Sequence, residues 1–158
     1  MTTNARIAAV NHTGITVSDL DRWIFLFRDV LGLEVTEKSR HGGAFIEGVT
    51  GVPGAIIDIA YAQLPGHTVE LLQYVKPDDR RRSELRPCDA GFLHLAFQVN
   101  DLDAILAAIE PAGFAPVEPP QTVPAGPRKG ARTVYTRDPD GVVLEFQETV
   151  TQARASGS

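Results

Sequence analysis

Two histidines and two glutamates carry the chemistry that this sequence offers. His12 precedes Val17-Ser18-Asp19-Leu20-Asp21, and His94 stands in the same register before Val99-Asn100-Asp101-Leu102-Asp103. Glu70 sits among apolar neighbours in Val69-Glu70-Leu71-Leu72, as Glu145 does in Leu144-Glu145-Phe146-Gln147. A carboxylate on the inner side of a sheet is costly unless it is paired, protonated or coordinated. Two imidazoles and two such carboxylates, placed alike in two repeats, make a four-point nitrogen and oxygen set for one divalent ion, Zn, Ni, Co, Mn or Fe.

These residues need strands beneath them. In Leu93-His94-Leu95-Ala96-Phe97-Gln98-Val99 the apolar residues Leu93, Leu95, Phe97 and Val99 alternate with His94, Ala96 and Gln98, which predicts a strand with one apolar face and one histidine-bearing face. Ile15 and Val17 alternate in the same way with His12, Gly14 and Thr16. Ser18 with Asp21, and Asn100 with Asp103, read as capping pairs that open helices. Leu20, Ile24, Phe27 and Leu31 keep helical spacing, as do Leu102, Ile105, Leu106 and Ile109. Gly32 and Gly113 suit helix ends, and Pro111 must break the second helix. Strand-like runs follow at 33–36, 55–61 and 69–74, then at 115–118, 133–136 and 142–147. Gly42-Gly43, Pro53-Gly54, Pro65-Gly66 and Asp140-Gly141 read as turns, and Pro119–Gly130 as a long loop. The expected order is strand, helix and three strands, twice: a first module over 7–75, a linker over 76–91, a second module over 92–149 and a frayed tail over 150–158.

The chain has 158 residues, 43% hydrophobic and 22% charged, with a net charge of −5. That balance fits a globular protein and argues against nucleic acid as a partner, although Arg80-Arg81-Arg82 is locally basic. A lone cysteine, Cys88, forbids an intrachain disulfide and fits a reducing, cytoplasmic setting. No apolar run is long enough to span a membrane. His41 and His67, beside glycine turns, read as surface residues, and Trp23 as a packing residue. The glycine-rich stretches lack the context of a phosphate-binding loop.

The chain resembles the vicinal oxygen chelate superfamily of glyoxalases, methylmalonyl-CoA epimerases, extradiol dioxygenases and fosfomycin and bleomycin resistance proteins. The resemblance runs from about Ile7 to Thr149. It is carried by His12 and the helix through Arg28-Asp29-Val30-Leu31-Gly32-Leu33, by Val69-Glu70-Leu71-Leu72, by His94-Leu95-Ala96-Phe97, and by Asp138-Pro139-Asp140-Gly141-Val142-Val143-Leu144-Glu145. It implies an α+β fold of two tandem βαβββ modules, forming curved mixed sheets around a metal-containing cleft. His12, Glu70, His94 and Glu145 would be the ligands, on the first and last strand of each module.

Two histidines with two glutamates look like the glyoxalase and epimerase branches. The implied enzyme is a metal-dependent lyase or isomerase that removes a proton next to a metal-bound carbonyl, with Glu145 or Glu70 also serving as the base. Thr16 stands where glyoxalase I carries an arginine, and Gln73-Tyr74-Val75-Lys76-Pro77 replaces its asparagine-tryptophan-glycine run, which argues against glutathione. Thr16, Glu47, Tyr74, Gln98, Arg128, Lys129 and Tyr135 are the substrate-contact candidates, Glu47 as a possible second acid/base. The alternatives are an Fe(II) extradiol dioxygenase, using groups such as His41, His67, Tyr74 and Tyr135, or a drug-binding resistance protein without catalysis. Open edges of such modules imply a homodimer around a small-molecule substrate.

Overall fold

Alternation over Thr13–Thr16 and His94–Val99, and helical spacing after each, set up two sheets with a helix packed on each. The structure, a computed structural model, describes residues 6–149; the tail expected to fray lies outside them. The chain divides between Arg81 and Arg82 into two units.

The first unit holds β1 (Thr13–Thr16), α1 (Leu20–Ile24) continued by a π-helical stretch (Phe25–Val30), β2 (Glu34–Val35), β3 (Ser39–Gly42), α2 (Ala44–Thr50), β4 (Ile56–Leu64) and β5 (His67–Lys76). Its sheet runs β1-β5-β4-β2, with β3 also on β4. β1 lies parallel to β5 and the other pairs are antiparallel. Leu20, Trp23, Ile24, Leu26 and Phe27 are buried, and α1 packs on β4 and β5. Trp23 meets Phe27 edge to face at 5.6 Å, so it belongs to the core.

The second unit repeats the plan with β6 (His94–Val99), α3 (Leu102–Ile109) and a 3₁₀ turn (Glu110–Ala112), then β7 (Ala115–Pro116), β8 (Gln121–Thr122), β9 (Arg132–Arg137) and β10 (Val143–Glu148). Its sheet runs β6-β10-β9-β7, with β8 also on β9. Here too the first and last strands are parallel. These are the two five-stranded mixed sheets of an α+β fold.

Three local expectations are corrected. The N-caps fall one residue later than Ser18 and Asn100: Asp19 accepts from the Arg22 amide and Asp101 from the Ala104 amide. The outer strand of each sheet is two short pieces rather than one. β2 and β3 lie end to end along β4, and β7 and β8 along β9. Pro119-Pro120 supplies no amide donors, which accounts for the second break. Leu93 precedes β6 and is 85% exposed, so the apolar face of that strand is Leu95, Phe97 and Val99 alone. Gly32 and Gly113 do end their helices, at φ 68° and 83°.

Candidate active site

Each unit brings one histidine against one glutamate, and the strand register explains how. The parallel pairing of β1 with β5 sets Gly14 beside Glu70, and that of β6 with β10 sets Ala96 beside Glu145. His94 opens β6 two residues before Ala96, on the same strand face, and His12 stands two residues before Gly14, just outside β1 rather than on it as expected. Nothing bulky intervenes, and each imidazole reaches diagonally to its carboxylate. His12 Nε2 lies 3.1 Å from Glu70 Oε2, and His94 Nε2 lies 3.1 Å from Glu145 Oε2. Exposure matches as well: 38% and 35% for the histidine side chains, 14% and 12% for the glutamates. Within either unit, among the described residues, no third His, Cys, Asp or Glu joins the pair.

The other oxygen of each glutamate is held. Tyr61 lies opposite Glu70 across the β4–β5 ladder and donates its hydroxyl to Oε1 at 2.6 Å. That bond, aided by burial and the carboxylate charge, pushes the phenol up to about 12. Tyr135 occupies the same position opposite Glu145, but its ring leans on His94 at 5.0 Å, with the hydroxyl 3.5 Å from Nε2. Burial first, and then the Glu145 charge, raises this phenol too. Glu145 Oε1 instead accepts from Thr133 Oγ1 at 2.8 Å and Gln147 Nε2 at 2.7 Å.

The donor set fits a divalent ion on its own chemistry. Asn11 Oδ1 accepts from His12 Nδ1 at 2.7 Å, which holds the ring with Nε2 toward Glu70. An imidazole nitrogen and a carboxylate oxygen brought together at 3.1 Å are donor types that would hold a divalent ion. Held carboxylates and oriented imidazoles are also what ligating residues require of their surroundings.

The remaining candidates are spread out. Thr16 is exposed on β1, on the face of His12 and Gly14, and Tyr74 shares the Glu70 face of β5. Glu47 is exposed on α2, a helix that buries no residue. Gln98 lies beside Gln147, and with Arg128 and Lys129 it lines a cavity of about 380 Å³. Tyr135, Thr133 and Glu145 line another of about 240 Å³, together with Val117 and Pro119. His41 bonds to Ser39 and His67 to Thr13. Tyr61, Thr133 and Gln147 escape sequence reading. Repeat matching of Tyr61 with Tyr135, each on the strand before a glutamate, was the available signal.

The sequence matches the model of the Glyoxalase/Bleomycin resistance protein/Dioxygenase superfamily over residues 9–146. It is 35% identical over 143 residues to 2-epi-5-epi-valiolone epimerase of an Actinomyces species, covering 87% of this chain and 78% of that protein. Lactoylglutathione lyase of Haemophilus influenzae is 29% identical over 144 residues, 87% and 90% of the two chains. Among solved structures, a glyoxalase family protein from Bacillus cereus superposes with a TM-score of 0.75 at 22% identity, over 94% and 98% of the chains. The fosfomycin resistance protein FosX from Listeria monocytogenes, solved with Mn(II), gives 0.60 at 16% identity over 92% and 94%. At those identities the structural likeness speaks for the fold.

Proposed function

Since the chain belongs to the glyoxalase/bleomycin resistance protein/dioxygenase superfamily, we propose that it is a metal-dependent isomerase, epimerase or lyase that moves a proton next to a substrate carbonyl. Relatives named as an epimerase and a lyase support an enzymatic role, and FosX is a superfamily fold solved with a divalent ion. The observation that carries the reading is the matched pair of half-sites, each an imidazole 3.1 Å from a carboxylate whose other oxygen is already held.

His12 and Glu70 of one module, with His94 and Glu145 of another, would hold one divalent ion. When bound, that ion supplies Lewis-acid polarisation of a carbonyl oxygen. The chain does the rest. Tyr61 keeps Glu70 fixed as a charged ligand. Glu145, beside the cavity that Val117 and Pro119 line with apolar surface, takes the proton from the carbon next to the carbonyl and returns it. Tyr135 orients the substrate there. A homodimer in the cytoplasm is the setting we propose, in keeping with the lone thiol of Cys88.

Thr16 offers no charge for a glutathione carboxylate, which favours a valiolone-type cyclic ketone, free or carrying an oxyanion substituent, over a glutathione hemithioacetal. Solvent deuterium should enter the cyclic ketone in the presence of the protein and a divalent ion. Glu145→Gln should slow that exchange by about 10²- to 10⁴-fold, the usual worth of a general base. Exchange unchanged in that variant would remove Glu145 from the reaction.

A further inference from the structure

The cavity lined by Gln98, Arg128, Lys129, Gln147 and Glu148 lies outside the half-site, yet one side chain connects the two. The Arg128 guanidinium donates to Gln147 Oε1. The Gln147 carboxamide then donates from Nε2 to Glu145 Oε1 at 2.7 Å, and Glu145 Oε2 faces His94. Gln147 is thus a single planar group with its acceptor end on the basic loop and its donor end on the candidate ligand.

The electrostatics of the cavity favour an anion. Most basic side chains near an acid are paired, as in Arg40 with Asp58 and Arg86 with Asp89. Arg128 and Lys129 form no ion pair among the described residues. The acid in the wall, Glu148, is already committed: both oxygens accept from Arg132, and one accepts the Leu102 amide. Two cations therefore face about 380 Å³ of open space with no free counter-charge. That space suits a carboxylate or phosphate group, recognised by charge-assisted hydrogen bonds.

We propose that Gln147 is a positioning residue that reports occupancy of this cavity by an oxyanion substituent of the substrate to Glu145. The proposal rests on the reading of Glu145 as ligand and base. With the cavity empty, Arg128 polarises the Gln147 carboxamide and strengthens its donation to Glu145, since linked hydrogen bonds reinforce one another. An oxyanion draws the guanidinium onto itself. Gln147 then donates more weakly, and Glu145 is released from one of the two donors on Oε1.

The test uses the full-length, metal-free, ¹⁵N-labelled protein. The Gln147 side-chain amide signal is assigned by its disappearance in Gln147→Met and followed by NMR during titration with inorganic phosphate. It should shift saturably, together with the backbone amides of Arg128 and Lys129, and glycerol should move none of them. In R128A/K129A the phosphate affinity should drop about tenfold, the worth of one charge-assisted bond, and the Gln147 shift should vanish. Glycerol phosphate binding more tightly than free phosphate supports a substrate substituent; the reverse order overturns it. Phosphate binding without movement of the Gln147 amide, or an unchanged response in R128A/K129A, also overturns it. A parallel Mn²⁺ titration should give the same stoichiometry for wild type and R128A/K129A. A wild-type chain that binds no Mn²⁺ counts against the ligand reading, while the phosphate response still decides this one.

Discussion

Tyr61 fixes Glu70 through one short hydrogen bond, and the pair can be probed in two ways. Tyr61→Phe leaves Oε1 of the glutamate without its donor, and should weaken divalent-ion affinity about 10- to 100-fold, the usual cost of losing a group that orients a ligand. Isothermal titration with Mn²⁺ reads this, and unchanged affinity would mean that the hydroxyl orients nothing. The proton side of the bond is visible in stability. The folded chain keeps the phenolic proton to about 12, against an ordinary 10.0. The contribution is therefore whole below pH 10 and lost as pH rises through 12. Between these values urea-unfolding free energy should fall more steeply for wild type than for Tyr61→Phe. His12, Glu70, His94 and Glu145 stand out in the sequence because they recur at matching places in two repeats. Tyr61, Thr133 and Gln147 do not, since their partners lie across a ladder or two residues along a strand. Only the register shows which carboxylate oxygen they reach.

The two main helices are tied to their sheets by the last strand. Gln73 Oε1 accepts the Leu20 amide at the start of α1, and Glu148 Oε1 accepts the Leu102 amide at the start of α3. The second tie is charged. Arg132, with help from the Leu102 amide, holds the Glu148 carboxyl down at about 2, against 4.5. Its contribution is present above pH 4.5 and lost as pH falls through 2. Glu148→Gln copies the arrangement already used at Gln73. It should flatten this part of the acid dependence while keeping α3 capped, as read by circular dichroism and urea unfolding at pH 7 and pH 3; equal slopes would show that the pair adds nothing. The helices, and the strands that carry them, follow from spacing and are legible. β3 and α2 are not. Gly42-Gly43 reads as a turn, and Ala44–Thr50 buries no residue and contains Gly48, so it offers neither a core stripe nor strong propensity. The caps shift by one residue because Asp can serve where Ser or Asn also could.

The chain repeats one plan twice, and the segment that leads into the second copy is fastened at one turn of that copy. Ser83 donates its amide to the Asp140 carbonyl, and Arg82 pairs with the buried Asp140 carboxylate at 3.3 Å. Gly141, at φ 85°, lets Ser83 approach so closely that a Cβ would collide with its carbonyl oxygen. Gly141→Ala should therefore cost about 2 kcal/mol or more, from left-handed strain plus the collision, measured by chemical denaturation. A change under 0.5 kcal/mol would show that the segment at Ser83 yields freely. The repeat is what makes the whole fold readable: a strand, a capped helix and a glutamate-bearing strand recur in order, so each copy checks the other. The copies are no longer interchangeable, however. In one, a phenol grips the carboxylate; in the other, the matching phenol turns to the imidazole, and an alcohol and an amide take its place. A molecule bound at one half-site would meet a different donor pattern from that at the other, so a stereochemical preference could be written into the donors alone.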